Sequence, residues 1–293
     1  AAKEDFLAAL EEIRKNPDAA DPASLSVIGI NRLRAQCLDE HNVGDPFINI
    51  KKQETEKAVE QYEPVTSALH RMDDADRWLR AIKGVFAGNV FDMGATGQAA
   101  QDRPKDFAEA LEAVKDRPWT VDDYDRLAEL LAPAPPSPWA RGVVFVDNAG
   151  ADFVLGLMPL VRELALAGTQ IVLAANEKPT LNDMTVDETC DVVERLAARD
   201  DELAAMIRAE MFEVVSTGAD TALIDLSEVS DELNEAAADA DFVLLEGMGR
   251  AVESNFHAEF TVDSLHLAVV KNPEVAKRVG GETMDCVCKF VEV

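Results

Sequence analysis

The sequence predicts an α/β protein: a mainly parallel sheet with helices on both faces, a Rossmann-like three-layer arrangement, preceded by an N-terminal all-helical domain. Three observations carry that reading. Before residue 132 the apolar residues recur at helical spacing and no strand pattern stands out. The segment Ala132-Pro133-Ala134-Pro135-Pro136-Ser137-Pro138 cannot be regular helix or central strand, so it reads as a linker. After it, short β-branched runs alternate with amphipathic stretches, as in a sheet joined by crossover helices. The domains are therefore expected at residues 1–138 and 139–293.

In the first part, Phe6, Leu7, Leu10 and Ile13 share one helical face. Val65, Leu69 and Met72 share another, and Trp78, Leu79, Ile82 and Val85 a third. A further helix is expected through Leu127, Leu130 and Leu131. In the second part, Val143-Val144-Phe145-Val146 is an uncharged β-branched run, the pattern of a strand buried on both faces. Residues 153–166 are apolar almost all round and read as a helix covered on several sides, closed by Gly168. Ile171-Val172-Leu173-Ala174 is the second strand, and 186–198 an amphipathic helix. Phe212-Glu213-Val214-Val215 is the third strand, with a helix over 226–238 and Ser227 as its N-cap. Phe242-Val243-Leu244-Leu245 and 265–270 are the fourth and fifth strands. Pro273 suits the first turn of a short helix that Gly280-Gly281 ends, and 284–291 alternates as the last strand.

The chain has 293 residues with 28 Lys+Arg against 56 Asp+Glu, a formal net charge of −28. Binding to nucleic acid or to anionic lipid needs a basic face, so neither is an expected partner. At 47% hydrophobic residues the chain is no disordered acidic tail. No apolar run reaches about 18 residues, the length that spans a bilayer. Residues 1–9 read as an acidic-apolar helical start, not a signal peptide. Four cysteines are too few for a disulfide framework, and Cys286 and Cys288, on one strand face, read as reduced side chains. A cytoplasmic setting is the expectation.

In a parallel sheet, ligands bind in the loops that follow the strands. Past the first strand comes Asp147-Asn148-Ala149-Gly150-Ala151-Asp152. Past the second come Asn176, Asn182 and Asp183, and past the third Ser216-Thr217-Gly218. Past the fourth comes Glu246-Gly247-Met248-Gly249-Arg250, and past the fifth Lys271. Asp147, Asn148 and Asp183 would offer three hard oxygens from two adjacent loops, a set suited to Mg or Mn. Lys271 and Arg250 would hold an anion beside the metal, and Gly218, Gly247 and Gly249 would let backbone N–H groups approach it. That equipment fits phosphoryl chemistry.

The ordered motifs at this edge resemble a known family. Val146-Asp147-Asn148-Ala149-Gly150-Ala151-Asp152, then Ala174-Ala175-Asn176-Glu177 and Leu181-Asn182-Asp183, are similar to the damage-control phosphatases, first catalogued as domain of unknown function 89. Leu245-Glu246-Gly247-Met248-Gly249-Arg250 with Glu253-Ser254-Asn255, Val270-Lys271, and the closing Asp285-Cys286-Val287-Cys288-Lys289-Phe290 fit as well. So does Phe86-Ala87-Gly88-Asn89-Val90-Phe91-Asp92 in the helical part. The nearest branch is the one shared by plant single-domain members and the C-terminal domain of pantothenate-kinase-like fusion proteins.

The resemblance implies a metal-dependent phosphatase acting on small phosphorylated metabolites, damaged or overflow sugar phosphates or phosphopantetheine-type compounds. It implies a divalent ion (Mn, Mg, Co or Ni) at Asp147, Asn148 and Asp183. It makes Asp147, Asp152 and Lys271 the catalytic candidates, with Lys271 on the phosphate. Asn89, Asp92, Thr217, Gly218, Glu246 and Arg250 are the candidates that line the substrate pocket. Asp152 stands where other branches carry Glu, and Glu246 where some carry a basic residue. Whether water or a carboxylate attacks phosphorus is open in the sequence. The rival readings are a metabolite- or metal-binding module without turnover and a methyltransferase, for which the glycine pattern offers no clear adenosine site.

Overall fold

The computed structural model describes residues 1–17, 25–91, 104–131 and 136–293. Asp92 and residues 132–135 of the proline-rich segment lie outside them. The N-terminal part builds α1 (Ala2–Lys15), α2 (Val27–Glu40), α3 (Ile48–His70), α4 (Asp74–Phe91), α5 (Phe107–Ala113), the two-residue strand β1 (Val121–Asp122) and α6 (Tyr124–Leu131). Then follow β2 (Arg141–Phe145), a π-helical segment (Asp152–Leu157) running into α7 (Met158–Leu166), β3 (Gln170–Ala175), α8 (Val186–Ala197) and α9 (Asp201–Arg208). The chain closes with β4 (Phe212–Ser216), α10 (Asp231–Ala236), β5 (Phe242–Glu246), a second π-helical segment (Met248–Ser254), β6 (Asp263–Val270), α11 (Pro273–Val279) and β7 (Asp285–Val291).

The seven strands form one sheet in the order β1-β7-β6-β5-β2-β3-β4. All pairings are parallel except β6 with β7. The short uncharged strands pack on both faces because successive side chains point to opposite sides. Val144, Leu244, Leu267 and Cys286 enter one apolar cluster, while Val143, Val243, Ala268 and Val287 enter the other. Trp139 stacks on Phe242 at 3.9 Å between ring centroids. Its Nε1–H donates to Asp263 at 2.8 Å, tying the N-terminal ends of β2, β5 and β6 together.

The helical part and the sheet share the first cluster. Tyr62 of α3 and Ile82 and Phe86 of α4 are fully buried in it beside Leu155, Leu173 and Leu265. On α3 the buried positions are 51, 55, 58, 59, 62, 66 and 69, a helical stripe that takes in Lys51 and two threonines.

Four local features differ from the expectations. The helical part contributes β1, pairing Val121 with Val287 and Asp122 with Cys288, and two residues are too short for any period to show. Helix α9 forms because Asp200 caps it, accepting from the Glu202 and Leu203 N–H groups at 3.0 Å. The helix expected over 226–238 shortens to α10. Ser227 is held in a turn on Asp225, and Ser230 takes the cap, accepting from the Leu233 N–H at 3.0 Å. The helix after β2 opens with a π-helical segment. Cys286 and Cys288 are free thiols in the core, and burial, with Asp285 adding to it, pushes the Cys286 pKa up to about 12.

Candidate active site

The C-terminal ends of β2, β3 and β5 carry the site. β2 delivers Asp147 and Asn148, and the loop after β3 folds back to meet them. Ala149 N–H donates to Asn182 O at 2.9 Å, Met184 N–H donates to Asp147 O at 2.9 Å, and Asn148 and Asp183 form an isolated antiparallel bridge. The sequence-expected trio Asp147, Asn148 and Asp183 is thus stitched together by main chain.

Both π-helical segments follow the paired central strands β2 and β5, and each carries one buried candidate side chain. The first opens on Asp152, the second carries Arg250. Such segments widen a helix by one residue per turn and recur at functional sites. Asp147, Asp152 and Glu246, the last residue of β5, each offer a carboxylate oxygen within 4.8 Å of the others, and all three are buried. At that separation a pair of carboxylates repels by about 3 kcal/mol at an effective dielectric of 20.

Three side chains manage that charge. Asn148 Nδ2 donates to Asp147 and to Asp152, each at 2.8 Å. Asn89 Nδ2, arriving from α4, donates to Glu246 at 2.7 Å and to Asp152 at 3.2 Å. Arg250, wholly buried, pairs with Asp147 and reaches Asp183 at 2.7 Å and the Asn176 side-chain Oδ1 at 3.1 Å. Burial pulls the Arg250 pKa down towards about 9. The two carboxylates oppose that, so the guanidinium stays charged at neutral pH.

Glycine is obligatory at 247. Its φ is +89°, and a Cβ there would lie 1.9 Å from Asp147 Oδ2. The donor set is all hard oxygen and carries more carboxylate than buried cation, which fits a divalent ion such as Mg or Mn.

The other expected residues sit around this centre. Lys271 follows β6, half-buried, with its N–H on Met248 Sδ. Thr217 is buried after β4, but its hydroxyl accepts from the Ala219 N–H, and Gly218 packs on Ser230 with φ +74°. Both shape the loop after β4. Arg250 was expected on an anion; its two terminal nitrogens instead face Asp147, Asp183 and Asn176.

Two participants were given no role by the sequence reading. Asn176 bridges Arg250, Asp183 and the Thr221 carbonyl. Lys51, buried on α3, pairs with Asp45 at 2.6 Å and Glu188 at 2.7 Å, and donates to Asp183 O at 3.3 Å. Asn176 stands in the loop after the second strand and in the family motif, but the sequence assigns it no partner of its own. Lys51 had no signal, because a lysine in an amphipathic helix reads as solvated.

A profile described as "Damage-control phosphatase ARMT1-like domain" matches residues 1–287. The chain belongs to the damage-control phosphatase family. Among family members, it is 38% identical over 295 residues to the Arabidopsis thaliana protein named damage-control phosphatase At2g17340, covering 99% of this chain and 78% of that one. It is 32% identical to the Mus musculus 4′-phosphopantetheine phosphatase, covering 98% of this chain and 41% of the relative. It spans 34% of the rice protein named pantothenate kinase 2. In three dimensions it resembles a DUF89 family protein of Pyrococcus horikoshii, with a TM-score of 0.68, 22% identity, and 98% and 88% of the two chains covered. That likeness shows the fold alone.

Proposed function

We propose that this chain is a divalent-metal-dependent phosphomonoesterase that acts on small phosphorylated metabolites, with damaged or overflow sugar phosphates and phosphopantetheine-type compounds as its substrate class. The observation that carries this is the buried acidic trio Asp147, Asp152 and Glu246 at the C-terminal edge of the sheet, beside Asn148 and Asp183. The names of the Arabidopsis and mouse relatives support it.

Asp147, Asp152 and Glu246, with Asn148 and Asp183 from the stitched loops, are the residues that would hold the ion. A bound divalent ion supplies Lewis-acid polarisation of the phosphoryl oxygens and neutralises charge. Lys271 binds the phosphoryl group from the end of β6 and stabilises the charge that develops on it. Asp152, fixed between the Asn89 and Asn148 amides, orients a water and takes its proton as the oxygen attacks phosphorus. The P–O bond to the metabolite then breaks, and the proton passes to the leaving alkoxide. Arg250 keeps Asp147 and Asp183 charged and aimed.

The test is phosphate release from p-nitrophenyl phosphate, sugar phosphates and 4′-phosphopantetheine in the presence of Mn, Mg, Co or Ni. Turnover of at least one of them is expected. Calorimetric binding of those phosphates with no release under any of the four ions would replace this reading with a binding module.

A further inference from the structure

Asn89 was expected to line the substrate pocket, yet its carboxamide has no atom to spare. Both Nδ2 protons go to carboxylates, Glu246 at 2.7 Å and Asp152 at 3.2 Å. Its Oδ1 accepts from the Val269 N–H of β6 at 3.2 Å. The side chain is wholly buried. The amide orientation is fixed by chemistry: a flip would set its oxygen against two carboxylates and its N–H groups against a backbone N–H.

A glycine seam brings Asn89 that close. A Cβ at Gly88 would lie 2.8 Å from Asp152 Cα, and one at Gly156 would lie 3.1 Å from Gly84 O. α4 therefore meets the first π-helical segment at backbone contact. Only at that spacing does a side chain as short as Asn reach Asp152, the end of β5 and the C-terminal end of β6 at once.

We infer that Asn89 is a positioning residue, the clamp by which the helical part holds the Asp152 and Glu246 carboxylates together for a cation, and not a ligand of the substrate. This rests on the metal-dependent reading above. Two carboxylates brought together without a donor between them swing apart; the Asn89 amide pre-assembles them, as partners beyond the ligands do at metal centres.

The experiment compares wild type with Asn89→Ala and the milder Asn89→Ser. Mn affinity is measured by calorimetry on chelator-stripped protein, and kcat and KM with p-nitrophenyl phosphate at saturating Mn. Asn89→Ala should weaken Mn binding by about 10–100-fold. It should lower kcat, and leave KM within about twofold. Asn89→Ser, which keeps one donor, should fall between the two. If the alanine variant does not fold, the serine variant decides. A raised KM with unchanged Mn affinity would make Asn89 a substrate ligand, and a loss of thermal stability alone would make it structural; either overturns the inference. Wild type that binds no Mn would overturn the metal reading itself, and this inference with it.

Discussion

A methyl group at position 247 would collide with the Asp147 carboxylate, and the position also holds φ at +89°. Gly247→Ala must therefore displace the carboxylate or the loop. The expected result is a fall of at least about 100-fold in kcat/KM, comparable to the loss of one positioned charged group. Circular dichroism should show a folded chain. Activity within a few fold of wild type would mean Asp147 is not where the chemistry needs it. Arg250 gives a second residue-level test. Arg250→Met removes the cation between Asp147 and Asp183 and leaves both buried without it. Breaking a buried pair in this way costs about 3–5 kcal/mol. Urea unfolding of the metal-free protein should show a loss of that size, and an unchanged midpoint would contradict the pairing. Reading Arg250 from sequence alone favoured an anion partner, since a cation after a strand is drawn towards phosphate. The long-range fold that sets it between two carboxylates has no local signature.

At the scale of elements, the strands other than β1 were legible because uncharged β-branched runs have few other homes, and the helices between β2 and β6 imply the parallel pairing seen there. The loops after them were legible for the same reason. Asp147, Asn148 and Asp183 met because β2 and β3 are neighbours, with Phe145 opposite Ala174. The two π-helical segments were not legible. Residues 153–166 show an apolar pattern that fits α and π geometry alike, and the π-helical part lies at backbone contact with α4. Helix α10 shows how small the deciding terms are. Ser227 was the expected cap, but Asp225 claims it, and Ser230 caps the helix three residues later. Ser230→Ala removes the cap and also the hydroxyl that donates to Ser216 O at 2.6 Å. It should lower stability by about 1 kcal/mol. Thermal unfolding checks this, and no change would show that the cap is dispensable.

Across the whole molecule, charge and burial set the pH response. His266 is wholly buried, and its Nδ1–H donates to the Ala251 carbonyl at 3.0 Å. Burial pushes its pKa down from 6.5 to about 4. The unfolded chain takes up that proton near pH 6.5, and the folded chain only near pH 4. Stability from this residue is therefore full above pH 6.5 and is lost as pH falls towards 4, by about 3 kcal/mol. His266→Gln should show a pH profile flatter by that amount in urea titrations from pH 7 to 4; parallel profiles would contradict it. Among the described residues no helix is long and apolar enough to cross a membrane. The net charge of −28 repels any phosphate monoester that approaches, so the site must reverse the field locally. Lys271 contributes one charge, while Arg250 is held by carboxylates. On the proposed reading, a divalent ion at the acidic trio would supply the rest. The most direct measurement follows p-nitrophenyl phosphate hydrolysis as Mn is titrated into chelator-stripped protein, beside calorimetry on the same sample. The account predicts no turnover without metal, a rate that rises in step with site occupancy, and loss of both in Asp147→Ala. Undiminished phosphate release by the stripped protein, or by Asp147→Ala, would contradict it.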